Sequence, residues 1–295
     1  MSRTLNNILP GVEYDHGFLI DGQVRPYYSF CSPRTSSWSD EMTMALEEIS
    51  KEHFIDRYNR SIALDGIRSR LVSGNASYID IGCSSGYMLE EARRNFPGAQ
   101  IFGADYYSAG LSQCHKKLPE IPLFQLDLVN CAIKDGLFDA ATCLNVLEHI
   151  EDDAAALKSL HTMLKPGGIL VATVPAGRAL FDLYDEVHYH VRRYSLSELA
   201  RKVRAAGFRI IKINHFGSFI YPPFYITKML NKLRYRDLSP EAKKKVVFSQ
   251  IRFTKRSRLM EAACSLEYMV GKVVKFPFGI WGYVIAEKID KIGRT

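Results

Sequence analysis

The feature that most constrains this chain is an alternation of two hydrophobic periods. Short apolar runs, YIDIG (78–82), IFGAD (101–105), LFQLD (123–127), FDAATCLN (138–145) and GILVATV (168–174), are separated by amphipathic stretches. Runs of this length suit strands buried on both faces and are too short for helices. Segments 88–95 and 153–164 carry the helical period. In the second, Leu157, Leu160 and Leu164 share a face, and Pro166-Gly-Gly168 ends it. Repeated β–α units imply a parallel sheet covered by helices on both faces.

The flanks extend this pattern. Ser195-Leu-Ser-Glu198 is a capping box and Gly207 a stop, so 197–206 reads as helix. FRIIKIN (208–214) and GIWGYVIAEK (279–288) read as strands pairing antiparallel at one edge. The expected fold is α/β: a doubly wound, Rossmann-like sheet of seven strands, mostly parallel with an antiparallel last strand. Four segments follow: an N-terminal extension and helical cap (1–72), a core (73–216), a helical insertion (217–276), and the last strand with a tail (277–295). Residues 1–40 show no period and read as irregular; 41–72 reads as helix.

Bulk properties narrow the class. With 47% hydrophobic and 24% charged residues, the 295-residue chain has an ordinary globular composition. The six cysteines form no C-x-x-C pair and no Cys/His cluster at metal spacing, so they read as reduced and no metal site is expected. The N-terminus has no apolar signal region, and no stretch reads as a membrane span. A cytoplasmic protein, either monomeric or a homodimer, is expected. The +7 net charge is concentrated late. Residues 228–258 hold 11 Lys/Arg against Asp237 and Glu241, leaving 28 Lys/Arg against 30 Asp/Glu elsewhere.

Gly82-Cys-Ser-Ser-Gly86 admits two readings. As G-x-S-x-G it would be a nucleophile elbow with Ser84 as nucleophile. No oxyanion loop of HGGG type precedes it, however, and it follows the first strand of the alternating pattern instead of a middle one. As a glycine turn after that strand, it belongs to a ligand site. Three successive runs end in acids, Asp80, Asp105 and Asp127, facing the crevice where open α/β sheets bind ligands. Gly82 and Gly86 let backbone approach a ligand. Asp105 can accept from ribose hydroxyls, Asp127 from an exocyclic amine, and Asp80 offers charge to an ammonium. So much carboxylate suits a cationic cofactor better than a dinucleotide.

These residues resemble the motifs of class I S-adenosylmethionine-dependent methyltransferases. IDIGCSSG is similar to their D/E-x-G-x-G-x-G turn, with Ser84 in the middle-glycine position. GADYYSAGL and FQLDL resemble the second and third motifs, and FDAATCLNVLEHIEDD with LKPGGILVATVP resembles the fourth and fifth strands. EEISKEHFIDRYNRSI, FDLYDEVHYHVRRYSLSEL and KFPFGIWGYVIAEK are similar to segments of ubiquinone-type and bacterial glycan or secondary-metabolite members, many of which carry Trp in place of Ile55. The resemblance implies S-adenosyl-L-methionine held by Asp80, Gly82, Cys83, Ser84, Gly86, Asp105, Tyr106, Asp127, Leu128 and Asn145, the last mainly through its backbone. The competing readings are a Ser84 hydrolase and a non-catalytic binding module on the same fold.

Methyl transfer needs alignment, and a base only when the acceptor must lose a proton. His190, in an H-x-R-R-Y pattern, is the first candidate base and His149 the second; His149 could instead pack over the cofactor or be satisfied by local hydrogen bonds. Tyr184, His188, Arg192, Arg193 and Tyr194 are the candidate acceptor-binding residues, with bracing of the loop as the alternative for Arg193 and Tyr194. Tyr221-Pro-Pro-Phe224 stands in the wrong place for a nucleic-acid amino-methyltransferase motif, and its prolines read as a break in an amphipathic stretch. A nucleic-acid partner is not expected. The aromatic and basic insertion suits a lipid-linked acceptor or, through 217–260, an anionic membrane surface; a lid or a dimer contact are its alternatives. The expected acceptor is a small molecule, a glycan or a lipid-linked compound, with O-methylation favoured.

Overall fold

The computed structural model describes residues 3–31, 53–72, 74–133, 136–255 and 257–289. Its strands are β1 (Phe18–Ile20), β2 (Gln23–Arg25), β3 (Tyr28–Ser29), β4 (Ser77–Ile81), β5 (Gln100–Asp105), β6 (Leu123–Gln125), β7 (Phe138–Leu144), β8 (Leu164–Pro175), β9 (Phe208–Phe216) and β10 (Trp281–Lys288). β1 and β2 form a separate hairpin. The main sheet has the order β3-β6-β5-β4-β7-β8-β10-β9. β10 is antiparallel to both β8 and β9, and the remaining neighbours are parallel.

The chain winds outward from β4 through β5 and β6, then crosses to β7 and β8. The reversal leaves a crevice beyond the carboxyl ends of β4, β5 and β7. Successive strand residues serve opposite faces. Tyr78, Ile101, Ala140 and Val171 pack under helices Phe54–Leu71, Tyr87–Asn95 and Ser108–Lys117, through Ile67, Leu89 and Leu111. Ile79, Phe102, Ala141 and Leu170 pack under helices Asp153–Met163 and Leu196–Ala205, through Leu157, Leu160 and Leu199. Burial on both faces explains why these strands read as continuous apolar runs.

Several expectations need correction. The sheet has eight strands instead of seven, because Tyr28 and Ser29 pair with Phe124 and Gln125 of β6. A two-residue strand shows no period and is invisible to pattern. Residues 3–31 are therefore not irregular throughout; they begin with helix Arg3–Ile8, and fully buried Phe18 packs against Tyr14, Tyr28 and Phe124 over an otherwise open sheet edge. The helix expected over 41–72 is seen from Phe54, started by the His53 ring accepting from the Ile55 amide; 41–52 lies outside the described residues. Leu164, expected on a helix face, instead begins β8.

The insertion is helical as expected: Tyr221–Arg234, Pro240–Lys255 and Arg258–Val270. Pro222 and Pro223 do not break it. They occupy the first turn of their helix, where a missing N–H costs no intrahelical bond. Buried Glu267 accepts from the amides of Ser218 (2.8 Å) and Phe219 (3.0 Å), folding the last of these helices back onto the entry of the first. Among the described residues no helix is long and apolar enough to cross a membrane. All six cysteines are free thiols.

Helix Phe54–Leu71 sits on the sheet through Gly66. A Cβ there would lie 2.6 Å from Val171 Cγ2, a branched atom fixed in a fully buried strand. Helix propensity favours Gly66→Ala by up to about 1 kcal/mol. Overpacking opposes it by roughly 1–3 kcal/mol. The expected outcome is net destabilisation in denaturant titration; a gain in stability would contradict this packing.

Candidate active site

β4 ends in a tight turn that enters helix Tyr87–Asn95. Gly82 (φ +77°), Ser84 (φ +43°) and Gly86 (φ +87°) all take left-handed backbone, which glycine adopts without strain. A Cβ on Gly82 would stand 2.3 Å from Val146, and one on Gly86 would stand 2.5 Å from the Cys114 sulfur. Both glycines are thus required by packing as well as by conformation. Ser84 occupies the left-handed position with a side chain, and no histidine hydrogen-bonds its hydroxyl among the described residues.

The turn is tied to the next strand by Asp105. Its carboxylate accepts from the amides of Ser84 (2.9 Å) and Tyr107 (2.9 Å). Burial raises its pKa, while those amides and that of Tyr106 oppose the rise. Around it lies a cleft of about 220 Å³. Of the residues expected there, Gly82, Ser84, Asp105, Tyr106, Leu128 and Asn145 line it. Pattern did not single out Leu126, Val146 or Ile150, which also line it, and His149 stands at its margin. They are loop residues whose position depends on how β6 and β7 end.

Four expected residues are absent from that lining. Asp80 is buried beneath the turn, accepting from Thr142 Oγ1 (2.5 Å), which also bonds the Tyr78 hydroxyl. Burial raises Asp80 to about 7; the Thr142 hydrogen bond lowers it and the Asp105 charge adds to the rise. Cys83 turns into the core among Leu89, Cys114 and Leu123. Gly86 faces Cys114. Asp127 lies beyond the end of β6, and its carboxylate accepts from the Val129 amide (2.9 Å) and Asn130 Nδ2 (3.0 Å).

A second cluster lies after β8. Asp185, on the short helix Leu183–Val187, is fully buried. It accepts two bonds from Arg193 Nε (2.8 and 2.9 Å) and one from His190 Nδ1 (2.7 Å), and Lys228 Nζ stands 3.6 Å away. Burial alone would raise its pKa. The His190 hydrogen bond and the Lys228 and Arg193 charges outweigh that and hold it well below the usual carboxylate range. Since ionised Asp185 can only accept, His190 carries its proton on Nδ1 and keeps the Nε2 lone pair. Burial lowers the His190 pKa against the raising effect of Asp185.

His190 stands edge-on to His149, with ring centroids 4.8 Å apart. Crowding by protein, then His190 and His188, lower the His149 pKa, although part of its surface stays exposed. Buried Glu148 adjoins both rings. Neither of its oxygens has a hydrogen-bond partner among the described residues, and burial raises it to about 8. One donor atom from each of Glu148, His149 and His190 falls within 4.8 Å of the others, close enough to share a proton or a cation. Sequence spacing gave no sign of this group, because its members come from segments brought together only by the sheet.

The expected acceptor-binding residues separate into two sets. Arg193 is buried, bonded to Asp185 and the Ala176 carbonyl, and Tyr194 is buried with its hydroxyl on Asp153 (2.6 Å) and Leu147 O (3.1 Å). Arg192 bonds Asp153 and the Glu151 carbonyl. These contacts brace the loop, as the alternative reading of Arg193 and Tyr194 had it. Tyr184 instead lines a cavity beneath the insertion, with His188 stacked on its ring at 4.0 Å.

A family profile described as "Methyltransferase domain" matches residues 53–213. The chain belongs to that family. Two Ubiquinone biosynthesis O-methyltransferases are among its relatives. That of Chromobacterium violaceum is 29% identical over 53% of this chain and 74% of its own length. That of Albidiferax ferrireducens is 33% identical over 49% and 63%. Among solved structures, Haemonchus contortus phosphoethanolamine N-methyltransferase 2 in complex with S-adenosyl-L-methionine superposes with a TM-score of 0.57 at 16% identity, covering 87% of this chain and 59% of that one. That likeness is one of fold.

The chain is thus a class I S-adenosylmethionine-dependent methyltransferase, and Ser84 is part of its glycine turn instead of a hydrolase nucleophile. The methyltransferase cleft fits its cofactor on chemical grounds. The Asp105 carboxylate could accept from ribose hydroxyls, and Leu126, Leu128 and Ile150 could wall a purine. No Lys or Arg lines the cleft to receive a polyphosphate. Asp105→Ala removes this acceptor together with its tie to the Ser84 and Tyr107 amides, so both the ribose contact and the turn that frames it are lost. It is expected to weaken S-adenosylhomocysteine binding about tenfold or more, the equivalent of at least ~1.4 kcal/mol, in calorimetric titration. Unchanged affinity would place the ribose elsewhere.

Proposed function

We propose that this methyltransferase methylates a hydroxyl group, with His190 as general base. The observation carrying the reading is the 2.7 Å hydrogen bond from His190 Nδ1 to buried Asp185, which leaves Nε2 free to take a proton. The O-methyltransferase relatives support an oxygen acceptor.

Bound S-adenosylmethionine supplies an electrophilic methyl group on a sulfonium and departs as a neutral thioether, so no acid is needed at the leaving group. The protein's own tasks are orientation and proton removal. Asp105 and the Gly82–Gly86 turn fix the donor side. Asp185 fixes the ring and tautomer of His190, as a carboxylate does wherever a histidine must present one particular nitrogen. As the acceptor oxygen bonds the methyl carbon, its proton passes to Nε2, and the imidazolium formed is stabilised by the Asp185 charge. His149, neutral and edge-on, narrows the approach to that nitrogen.

The sign of the pH dependence follows. Burial lowers His190 from its ordinary value of 6.5, so the ring is in its basic form at neutral pH. Turnover should be flat near pH 7 and fall only as pH drops through the lowered value, giving an acid limb below 6.5 in kcat/KM. His190→Ala is expected to lower kcat by about 10²–10⁴-fold, with S-adenosylhomocysteine affinity unchanged. Retained turnover in that variant would overturn His190 as the base.

A further inference from the structure

Between the first turn of helix Phe54–Leu71 and the insertion lies a cavity of about 480 Å³. It is more than twice the volume of the cofactor cleft and within the ~300–1,000 Å³ range of small-molecule sites. Ile55, Phe224, Ile251, Met260 and Trp281 give it apolar walls. Two contacts connect it to the chemistry. Trp281 Nε1 donates to Asn145 Oδ1 (3.1 Å), and Asn145 lines the cofactor cleft. Tyr184, on another wall, lies edge-on to the His190 ring with centroids 6.1 Å apart.

The polar groups on these walls differ in how they are engaged. Lys228 is paired with Asp182 and sits over the rings of Tyr184 (4.8 Å) and Phe224 (5.1 Å). Asn231 and Gln250 hydrogen-bond each other, and Thr254 bonds back to the Gln250 carbonyl. Asp56 lines the cavity with no hydrogen bond to its carboxylate from any described residue, and nearby Arg60 is committed to Glu91 at 2.5 Å. Burial raises Asp56 to about 7 against the lowering effect of Arg60, so above that pH its carboxylate, in a mostly apolar wall, favours a ligand that brings a donor to it and disfavours one bringing an anion.

We propose that this cavity holds the acceptor, and that the acceptor is an amphiphile: an apolar chain or ring system carrying a neutral or cationic hydrogen-bond donor that Asp56 receives. The inference rests on the methyltransferase reading above and narrows its substrate. A glycan would leave the walls of Ile55, Phe224 and Trp281 without apolar contact. An acid-headed chain would place its charge against Asp56. Phe253, 80% exposed on the rim, extends the apolar lining to the surface, so a chain longer than the cavity can emerge there.

The test uses the full chain with n-alkylamines from butyl to octyl, octanoate as the anionic counterpart, and S-adenosylhomocysteine titrated in parallel. Amine affinity should rise about fourfold per methylene, and octanoate should bind at least tenfold more weakly than octylamine. Met260→Trp and Ile55→Trp, which fill the cavity from different walls, should each abolish amine binding. Asp56→Asn should remove the preference for amine over carboxylate while keeping the dependence on chain length. Absence of amine binding with S-adenosylhomocysteine affinity intact would overturn this inference alone. So would amine binding that survives both tryptophan variants. Loss of S-adenosylhomocysteine binding by the unaltered protein would instead count against the cofactor site.

Discussion

The buried carboxylate of Asp185 is the interaction on which the arrangement of this site depends. It is fully enclosed and is neutralised by His190 and Arg193 from the loop that follows its own helix and by Lys228 from the insertion. Arg193 is itself fully buried, so neither partner can be released to water without a cost of several kcal/mol. Removing Asp185 would leave the buried Arg193 guanidinium without its carboxylate. The same carboxylate that pairs with Arg193 also sets the His190 tautomer.

The cofactor side rests on a different constraint, which is close packing around left-handed turns. Gly82 and Gly86 exist because Val146 and Cys114 occupy the space where side chains would go. That contact locks the turn after β4 against the loop after β7, the two strands flanking the point where the winding reverses. Asp105 then ties the turn to β5 through the Ser84 amide. Beneath them the chain from Tyr78 through Thr142 to Asp80 keeps a buried carboxyl satisfied under the cleft floor. The crevice is thus held by three strands at once, as befits a site whose work is alignment.

The insertion contributes by enclosure. Its helices are anchored at both ends by buried polar contacts, Lys228 and Asn231 on Asp182 and the Glu267 carboxylate on the amides of Ser218 and Phe219. Between those anchors the packing is open, leaving a cavity of about 480 Å³ against His53, Ile55 and Trp281.

Periodicity and turn chemistry determined the sheet, its parallel winding, the capped helix at Ser195, the cofactor turn and the acid at Asp105, because each depends on residues within a few positions of one another. The short edge strand at Tyr28–Ser29 was not legible, since two residues carry no period. Bracing was one of two readings open for Arg193 and Tyr194 and was not foreseen for Arg192, because a basic-aromatic run looks the same in sequence whether its groups face solvent or Asp153 and Asp185. The Glu148–His149–His190 group, the Trp281–Asn145 contact across 136 residues and the cavity facing Asp56 were decided only in three dimensions. Local sequence sets backbone conformation and which face is apolar; the side chains that meet across the sheet are chosen by how whole elements pack.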